Sequence, residues 1–337
     1  MQQVYRCRDS TLDRDVALKF PKNKSASARF RRSCILSAQI NHPNVAKTLD
    51  YFEFQGREYL IEELIAGENM HALLERYDRL DPFLVAHLAH HLAKGLAASH
   101  RAGVLHRDLK PSNAIVALEP WPEIVKITDF GIAKMADEEL TAAIEFGIEK
   151  SITTSATLVG ALPYMSPELI NSPGTAELKS DVWSIGAVMY EMLSGTKPFG
   201  IGLAAVGKIV SGNSPPKPAC FGASQQFGAH LDELWSIVEA CLQFDPSGRP
   251  SADELVRRCD DLCYSSCVRR IGTISSFQFS AYGFIAPDDG LSNVFFHKDS
   301  YYGASPRVGQ RVSFACFSSG TAAPRAIPVL PFRESKT

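Results

Sequence analysis

Three short blocks gather side chains able to do chemistry. HRDLKPSN at 106–113 places Asp108, Lys110 and Asn113 within one loop-length run, DFG at 129–131 adds Asp129, and YMSPE at 164–168 ends in Glu168. Side-chain oxygens of Asp and Asn are hard ligands of the kind that suits Mg²⁺. The eight cysteines contain no CxxC pair and no metal-ligand spacing, so neither a zinc ribbon nor a disulfide framework is indicated. Cys259, Cys263 and Cys267 recur every fourth residue, which reads as ordinary packing of reduced thiols on one helical face. A different chemistry is concentrated at the C-terminal end. Residues 269–337 carry a net charge of +4 and 11 of the 32 aromatic residues, whereas the rest of the chain carries −6. Basic and aromatic side chains together suggest contact with single-stranded nucleic acid.

These residues need elements to hold them. The 337 residues are 45% apolar and 21% charged, which excludes a mainly disordered, collagenous or coiled-coil chain. The length fits one large core and one small module. QVYRCRDSTLDRDVALKF at 3–20 reads as two strands around a polar turn, followed by a basic helix from about Ser25 to Ile40. A hairpin turning at Gln55 and Gly56 comes next. Helices are expected over Ala72–Tyr77, Pro82–Arg101, Ser180–Ser194, His230–Gln243 and Ser251–Cys267, with Leu84, Leu88, Leu92 and Leu96 on one face. After Arg270 the pattern changes to short strands rich in Phe, Tyr and Val, broken by DDG, YYG and SSG turns. The longest apolar helical stretch, Val182–Leu193, is too short to span a bilayer, and MQQVYRCRDS lacks the apolar core of a secretory signal. A cytoplasmic protein without a membrane anchor is expected.

The order and spacing of HRDLKPSN, DFG and YMSPE resemble the protein kinase signature set. VALK at 16–19, DVWSIG at 181–186 and GRPSADEL at 248–255 extend the likeness over about residues 4–262. LKP in the catalytic loop, HPN at 42–44 and GALPYMSPE resemble bacterial Ser/Thr kinases. The resemblance implies ATP and Mg²⁺ as cofactors and protein Ser/Thr hydroxyls as substrates. It gives Asp108 the substrate hydroxyl proton, Lys110 the charge of the transferring phosphoryl group, and Asn113 and Asp129 the metal. Lys19 would hold the α- and β-phosphates. Val4, Ala17 and Ile115 would sandwich the adenine, with backbone groups of Glu63 and Ile65 on its edge. Glu168 with Arg249, and Asp181 beneath the catalytic loop, would be scaffold.

Departures from the family pattern set against this a kinase-shaped scaffold that no longer transfers phosphate. VYRCRD matches the strand residues after a glycine-rich loop, and Met1–Gln3 cover only the last positions of that loop, which suggests a misplaced start or a truncated chain. Ser33 stands where a helix Glu would pair with Lys19, and no Asp or Glu lies between Lys19 and Leu49. Ala161 replaces a Thr that would bond the catalytic Asp and Lys. Glu62 occupies the usually apolar gatekeeper position, where it could take over as the partner of Lys19. Ser151, Thr153, Thr154, Ser155 and Thr157 lie in the long segment after DFG. A phosphate there could pair with Arg107, the alternative being a flexible hydroxyl-rich insertion.

GTISSFQFSAYGFIAPDDGLSNVFFHKDS, residues 272–300, resembles a cold-shock domain, a five-stranded OB-type barrel. YGFI at 282–285 and VFFH at 294–297 resemble its two RNA-binding motifs. The likeness implies a stacking platform of Phe277, Tyr282, Phe284, Phe295 and His297 for single-stranded RNA or DNA. Ser276, Ser280 and Ala281 depart from the Trp, Lys and Gly of the pattern. The expected fold class is α+β: a bilobal protein kinase fold over residues 1–268, with a small β lobe and a large helical lobe. A small five-stranded antiparallel β-barrel over 269–331 and a tail over 332–337 complete the chain. The expected function is a protein Ser/Thr kinase with a nucleic-acid-binding barrel; the alternative is a pseudokinase scaffold whose barrel binds nucleic acid or a protein partner.

Overall fold

The computed structural model describes residues 2–22, 27–117, 124–130, 156–172, 175–219, 221, 225–262, 264, 268–317 and 324–333. Strands β1 (Gln2–Asp9), β2 (Arg14–Pro21), β3 (Thr48–Phe54) and β4 (Arg57–Glu63) form an antiparallel sheet in the order β1-β2-β4-β3. Gln55 and Gly56 join β3 to β4 with φ of 51° and 69°. Two left-handed residues in a two-residue loop match the twist of the paired strands. Helix α1 (Ser27–Ser37) packs Phe30 and Cys34 against Leu60 and Tyr51 of this sheet. On β2, Phe20 stacks on Tyr5 and touches Tyr59. Ala17 and Lys19 alternate with it and take the opposite face, and both are buried.

The larger lobe is built on α3 (Pro82–Arg101), whose start is fixed by Asp81 accepting from the Leu84 N–H at 3.2 Å and by Pro82 in the first turn. Leu84, Leu88, Leu92 and Leu96 are each at most 1% exposed, as their fourth-residue spacing predicts. A small sheet of β5 (Glu68–Asn69), β6 (Ala114–Ala117) and β7 (Ile124–Ile127) carries the catalytic-loop blocks, beside α2 (Met70–Arg76). The remaining helices are α4 (Ala156–Ala161), α5 (Pro167–Asn171), α6 (Leu178–Ser194), α7 (Leu203–Val210), α8 (Gly228–Cys241) and α9 (Ala252–Asp260). Helix α6 stops at Gly195, φ 74°, where a side chain would meet the Asp78 carbonyl at 1.9 Å. Helix α9 ends earlier than the sequence suggests, at Asp260. Cys259 is fully buried, consistent with packing, while Cys263 and Cys267 lie outside the described residues.

Strands β8 (Arg269–Gln278), β9 (Tyr282–Pro287), β10 (Val294–His297), β11 (Arg311–Phe317) and β12 (Arg325–Pro331) close into a barrel in the order β10-β12-β11-β8-β9. Four of its pairings are antiparallel and one, β10 with β12, is parallel. Ile274, Ile285, Val294, Phe296, Val312 and Phe314 fill it.

The barrel is docked, not tethered. Arg269 pairs with Asp81 at 2.7 Å, and both side chains are at most 5% exposed. Tyr302 and Leu330 belong to the core of the large lobe, where the Tyr302 ring meets Phe227 edge-on at 5.8 Å. Residues 332–337 were expected as a tail, but Phe332 packs on Tyr77 at 5.0 Å and the Arg333 N–H bonds the Arg76 carbonyl at 2.8 Å. Packing of Phe332 against the large-lobe core explains the difference; residues 334–337 lie outside the described residues.

Candidate active site and barrel surface

Lys19 on β2 is held between two carboxylates, with Nζ 2.6 Å from Glu62 Oε2 and 2.8 Å from Asp129 Oδ1. Burial alone would favour the neutral amine, but the charges of Asp129 and Glu62 outweigh it and hold Lys19 above the usual lysine range. Burial pushes the Glu62 carboxyl up, an effect Lys19 offsets only in part. Burial would also raise Asp129, yet the adjacent Lys19 wins and leaves it below the ordinary carboxylate range. The helix position opposite Lys19 is used differently: the Ser33 hydroxyl donates to the Phe130 carbonyl. Thus α1 braces the backbone after Asp129 while β4 supplies the carboxylate.

Across the cleft, Lys110 Nζ lies 3.0 and 2.8 Å from the two oxygens of Asp108. Asn113 Nδ2 donates to the Asp108 carbonyl at 2.8 Å and to its carboxylate at 3.1 Å. The Asn113 carbonyl accepts from the Thr128 N–H at 2.9 Å, which ties this loop to the residue before Asp129. Beneath them, the buried Asp181 accepts from His106 N at 2.9 Å, Arg107 N at 2.8 Å and His100 Nε2 at 3.0 Å. Arg107 and Asp129 have φ of 67° and 63°, conformations that non-glycine residues hold only when surrounding bonds enforce them. Glu168 forms a two-pronged pair with the buried Arg249 at 2.7 and 2.9 Å. Ala161 is buried and contributes no hydroxyl, so Lys110 meets Asp108 directly.

The other positions that the resemblance gives to the nucleotide are placed as follows relative to Lys19. Val4 pairs with Lys19 and Ala17 with Glu62 across the sheet, so Val4 and Ala17 share the Lys19 face. Ile115 lies on β6, opposite Lys126. Glu63 spends its N–H on the Lys47 carbonyl at 3.0 Å and its carboxylate on Lys126 at 2.6 Å. Ile65 comes just after β4 and is half-buried. The hydroxyls of residues 151–155 lie outside the described residues. Gln2 was not anticipated: its amide donates to Asp129 Oδ1 at 2.5 Å, a contact between residues 127 apart in sequence. Among the described residues no group of three or more His, Cys, Asp and Glu forms a metal site. The donor set still fits Mg²⁺, which takes one or two protein oxygens and completes its shell with water and phosphate.

On the barrel, Tyr282, Phe284, Phe295 and His297 fall on one face, since Phe284 pairs with Phe295 and Tyr282 with His297. Ring centroids lie 5.7 Å apart for Tyr282 and Phe295 and 5.9 Å for Phe284 and Phe295. The Arg325 guanidinium lies 5.8 Å from the Phe295 ring centroid. Phe277 is not part of this face: it stacks on the core residue Phe296. A bulge between Ile274 and Ser276 causes the inversion, because one extra residue turns every later side chain to the other face. Phe279 takes its place, 86% exposed and 6.1 Å from Tyr282.

A small sheet over a larger helical lobe, with a sheet-borne lysine facing the Asp-Phe-Gly acid and an Asp–Lys–Asn loop below it, is the arrangement of protein kinases. The chain belongs to the protein kinase family: the family described as protein kinase domain matches residues 1–258. It is similar to the serine/threonine-protein kinase PknA of Mycobacterium tuberculosis, 36% identical over 265 residues, covering 75% of this chain and 57% of that protein. The serine/threonine-protein kinase PkaA of Streptomyces coelicolor is 32% identical, with coverage of 72% and 42%. The chain therefore spans about half the length of these curated relatives. The crystal structure of Rad53 1-466 in complex with AMP-PNP shares the fold, with a TM-score of 0.57 at 21% identity, over 76% of this chain and 61% of that one. No helix among the described residues is long and apolar enough to cross a membrane.

Proposed function

We propose that this chain is a protein Ser/Thr kinase that transfers the γ-phosphoryl group of ATP to protein Ser and Thr hydroxyls. The carrying observation is that Lys19, Asp108, Lys110, Asn113 and Asp129 all have defined partners, and that the acid missing from α1 is replaced by Glu62. Asp108 accepts the proton of the substrate hydroxyl while the new oxygen–phosphorus bond forms and the bond to ADP breaks. Lys110 neutralises charge on the phosphoryl oxygens, and Lys19 positions the α- and β-phosphates. Asn113 and Asp129 would hold Mg²⁺, which supplies charge neutralisation to the phosphates when bound. Val4, Ala17 and Ile115 would enclose the adenine, with the carbonyl of Glu63 and the backbone of Ile65 at its edge. The barrel is assigned to single-stranded RNA or DNA through Phe279, Tyr282, Phe284, Phe295 and His297, with a cytoplasmic location.

Phosphate transfer from labelled ATP to a generic protein substrate, compared between the chain and Asp108→Asn, tests the enzyme. Transfer that is Mg²⁺-dependent and lost in the variant supports it; equal signals from both proteins refute it. The contact from Gln2 to Asp129 favours a second reading, a scaffold with little transfer, because it occupies an oxygen needed by the metal. Gln2→Ala separates the two: the kinase reading expects transfer by the parent chain and little change in the variant, and the scaffold reading expects little transfer by the parent chain and a gain in the variant.

A further inference from the structure

A cavity of about 430 Å³ opens beside the catalytic loop, lined by His71, Lys110, Ser112, Gly160, Tyr164 and Lys197. The lining holds two lysines and a histidine and no carboxylate. Lys110 is committed to Asp108, but Lys197 forms no ion pair among the described residues, and its ammonium lies 5.7 Å from the Tyr164 ring centroid. His71 sits on the first turn of α2, with Glu75 3.6 Å away on an exposed turn outside the lining. Glu191 is buried, accepts the Tyr164 hydroxyl and is not part of the lining. Burial holds the Glu191 carboxyl above the ordinary carboxylate range, with the Tyr164 hydrogen bond and the Lys197 charge acting in the opposite direction.

We infer that this cavity is an anion-selecting subsite for the polypeptide substrate, taking a carboxylate or phosphate side chain close to the acceptor hydroxyl on Lys197, with His71 at its rim. The inference rests on the kinase reading for the identity of the ligand as a substrate. Among the described residues, a basic side chain entering the same space meets Lys197 and Lys110 with no carboxylate in the lining, so the site selects by repulsion as well as attraction. The charges act across a partly shielded gap, where opposite and like charges differ by enough to change affinity about tenfold.

The test is a fluorescence-anisotropy titration of the full chain with three labelled peptides. Each carries one Ser acceptor, flanked by Asp and Glu, by phosphoserine, or by Lys and Arg; the phosphorylation rate of each is measured in parallel. The acidic peptides are expected to bind about tenfold tighter than the basic one, with the order reversed by Lys197→Glu and levelled by Lys197→Ala. The phosphoserine arm tells whether the anion is a phosphate or a carboxylate. Binding with this dependence but without phosphate transfer keeps the subsite and removes the kinase reading. Transfer that prefers the basic peptide, or an order unchanged by Lys197→Glu, overturns the subsite and leaves the kinase reading intact. No binding of any peptide also overturns it.

Discussion

Glu62 Oε2 lies 2.6 Å from Lys19 Nζ on neighbouring strands of one sheet, with each side chain 6% exposed. The pairing of β2 with β4 fixes this contact through backbone hydrogen bonds, so the placement of Lys19 does not depend on where helix α1 sits. Removing one partner of a buried charge pair leaves the other uncompensated. Glu62→Ala is therefore expected to lower kcat/KM for ATP by about 10- to 100-fold, which corresponds to about 1.4–2.7 kcal/mol. Ser33→Ala loses one neutral hydrogen bond, ~1 kcal/mol, and should cost only a few-fold. Steady-state kinetics at varied ATP decide it, and the reverse ranking would return the anchoring role to α1.

Asp81 joins the two modules: it caps α3 and pairs with Arg269, with both side chains buried. Arg269→Met strands the Asp81 charge and should cost about 3–5 kcal/mol. At roughly 2–4 °C per kcal/mol, the melting temperature would fall by an amount on the order of 10 °C. Adding Asp81→Asn removes the stranded charge and keeps an oxygen for the Leu84 N–H. The double variant should recover most of the loss in a thermal melt, and no recovery would mean the pair is not what holds the barrel.

Local signals carried most of the fold. The turn at Gln55 and Gly56, the span Pro82–Arg101 and the order of the catalytic blocks were all legible, because each depends on residues a few positions apart. The docking of Tyr302, Leu330 and Phe332 was not, since it joins apolar surfaces far apart in the chain with no periodicity linking them. Gln2 was missed for the same reason. Glu62 was legible as an anomaly: a charge at a position that should be apolar demands a partner, and Lys19 was the one within reach. Phe277 was misread because the cold-shock resemblance carried it onto the platform with the other aromatics, and a β-bulge leaves no mark in a run of Ser and Phe.

A buried histidine cluster should make the chain acid-sensitive. His91 Nδ1 lies 2.9 Å from the Asn44 amide, and the His87 ring is 4.4 Å away. Burial first, and then the charges of His87 and Lys94, lower its pKa to about 3 from 6.5. The unfolded chain thus binds more protons between these values, so stability is intact above about 6.5 and is lost as the pH falls toward about 3. His91→Gln removes the titration while keeping a polar partner for Asn44. Melting temperatures at pH 7.5 and 5 should differ less in the variant than in the parent chain; an identical drop would assign the effect elsewhere.

Phe277 and Phe279 differ by two positions and make opposite predictions. Phe279 stands 86% exposed beside Tyr282, so Phe279→Ala should leave the melting temperature nearly unchanged. On a stacking platform it should weaken single-stranded oligonucleotide binding by ~1–3 kcal/mol, as should Phe295→Ala. Phe277 is half-buried and stacks on the core residue Phe296, so Phe277→Ala should destabilise the fold, by about 3–5 kcal/mol at most. Any loss of binding in that variant should track unfolding. Anisotropy titrations with a labelled oligonucleotide, run at two salt concentrations beside thermal melts, separate the outcomes. Binding that weakens with salt and with Phe279→Ala places nucleic acid on this face, whereas no binding at low salt leaves the barrel as a docking element of the large lobe.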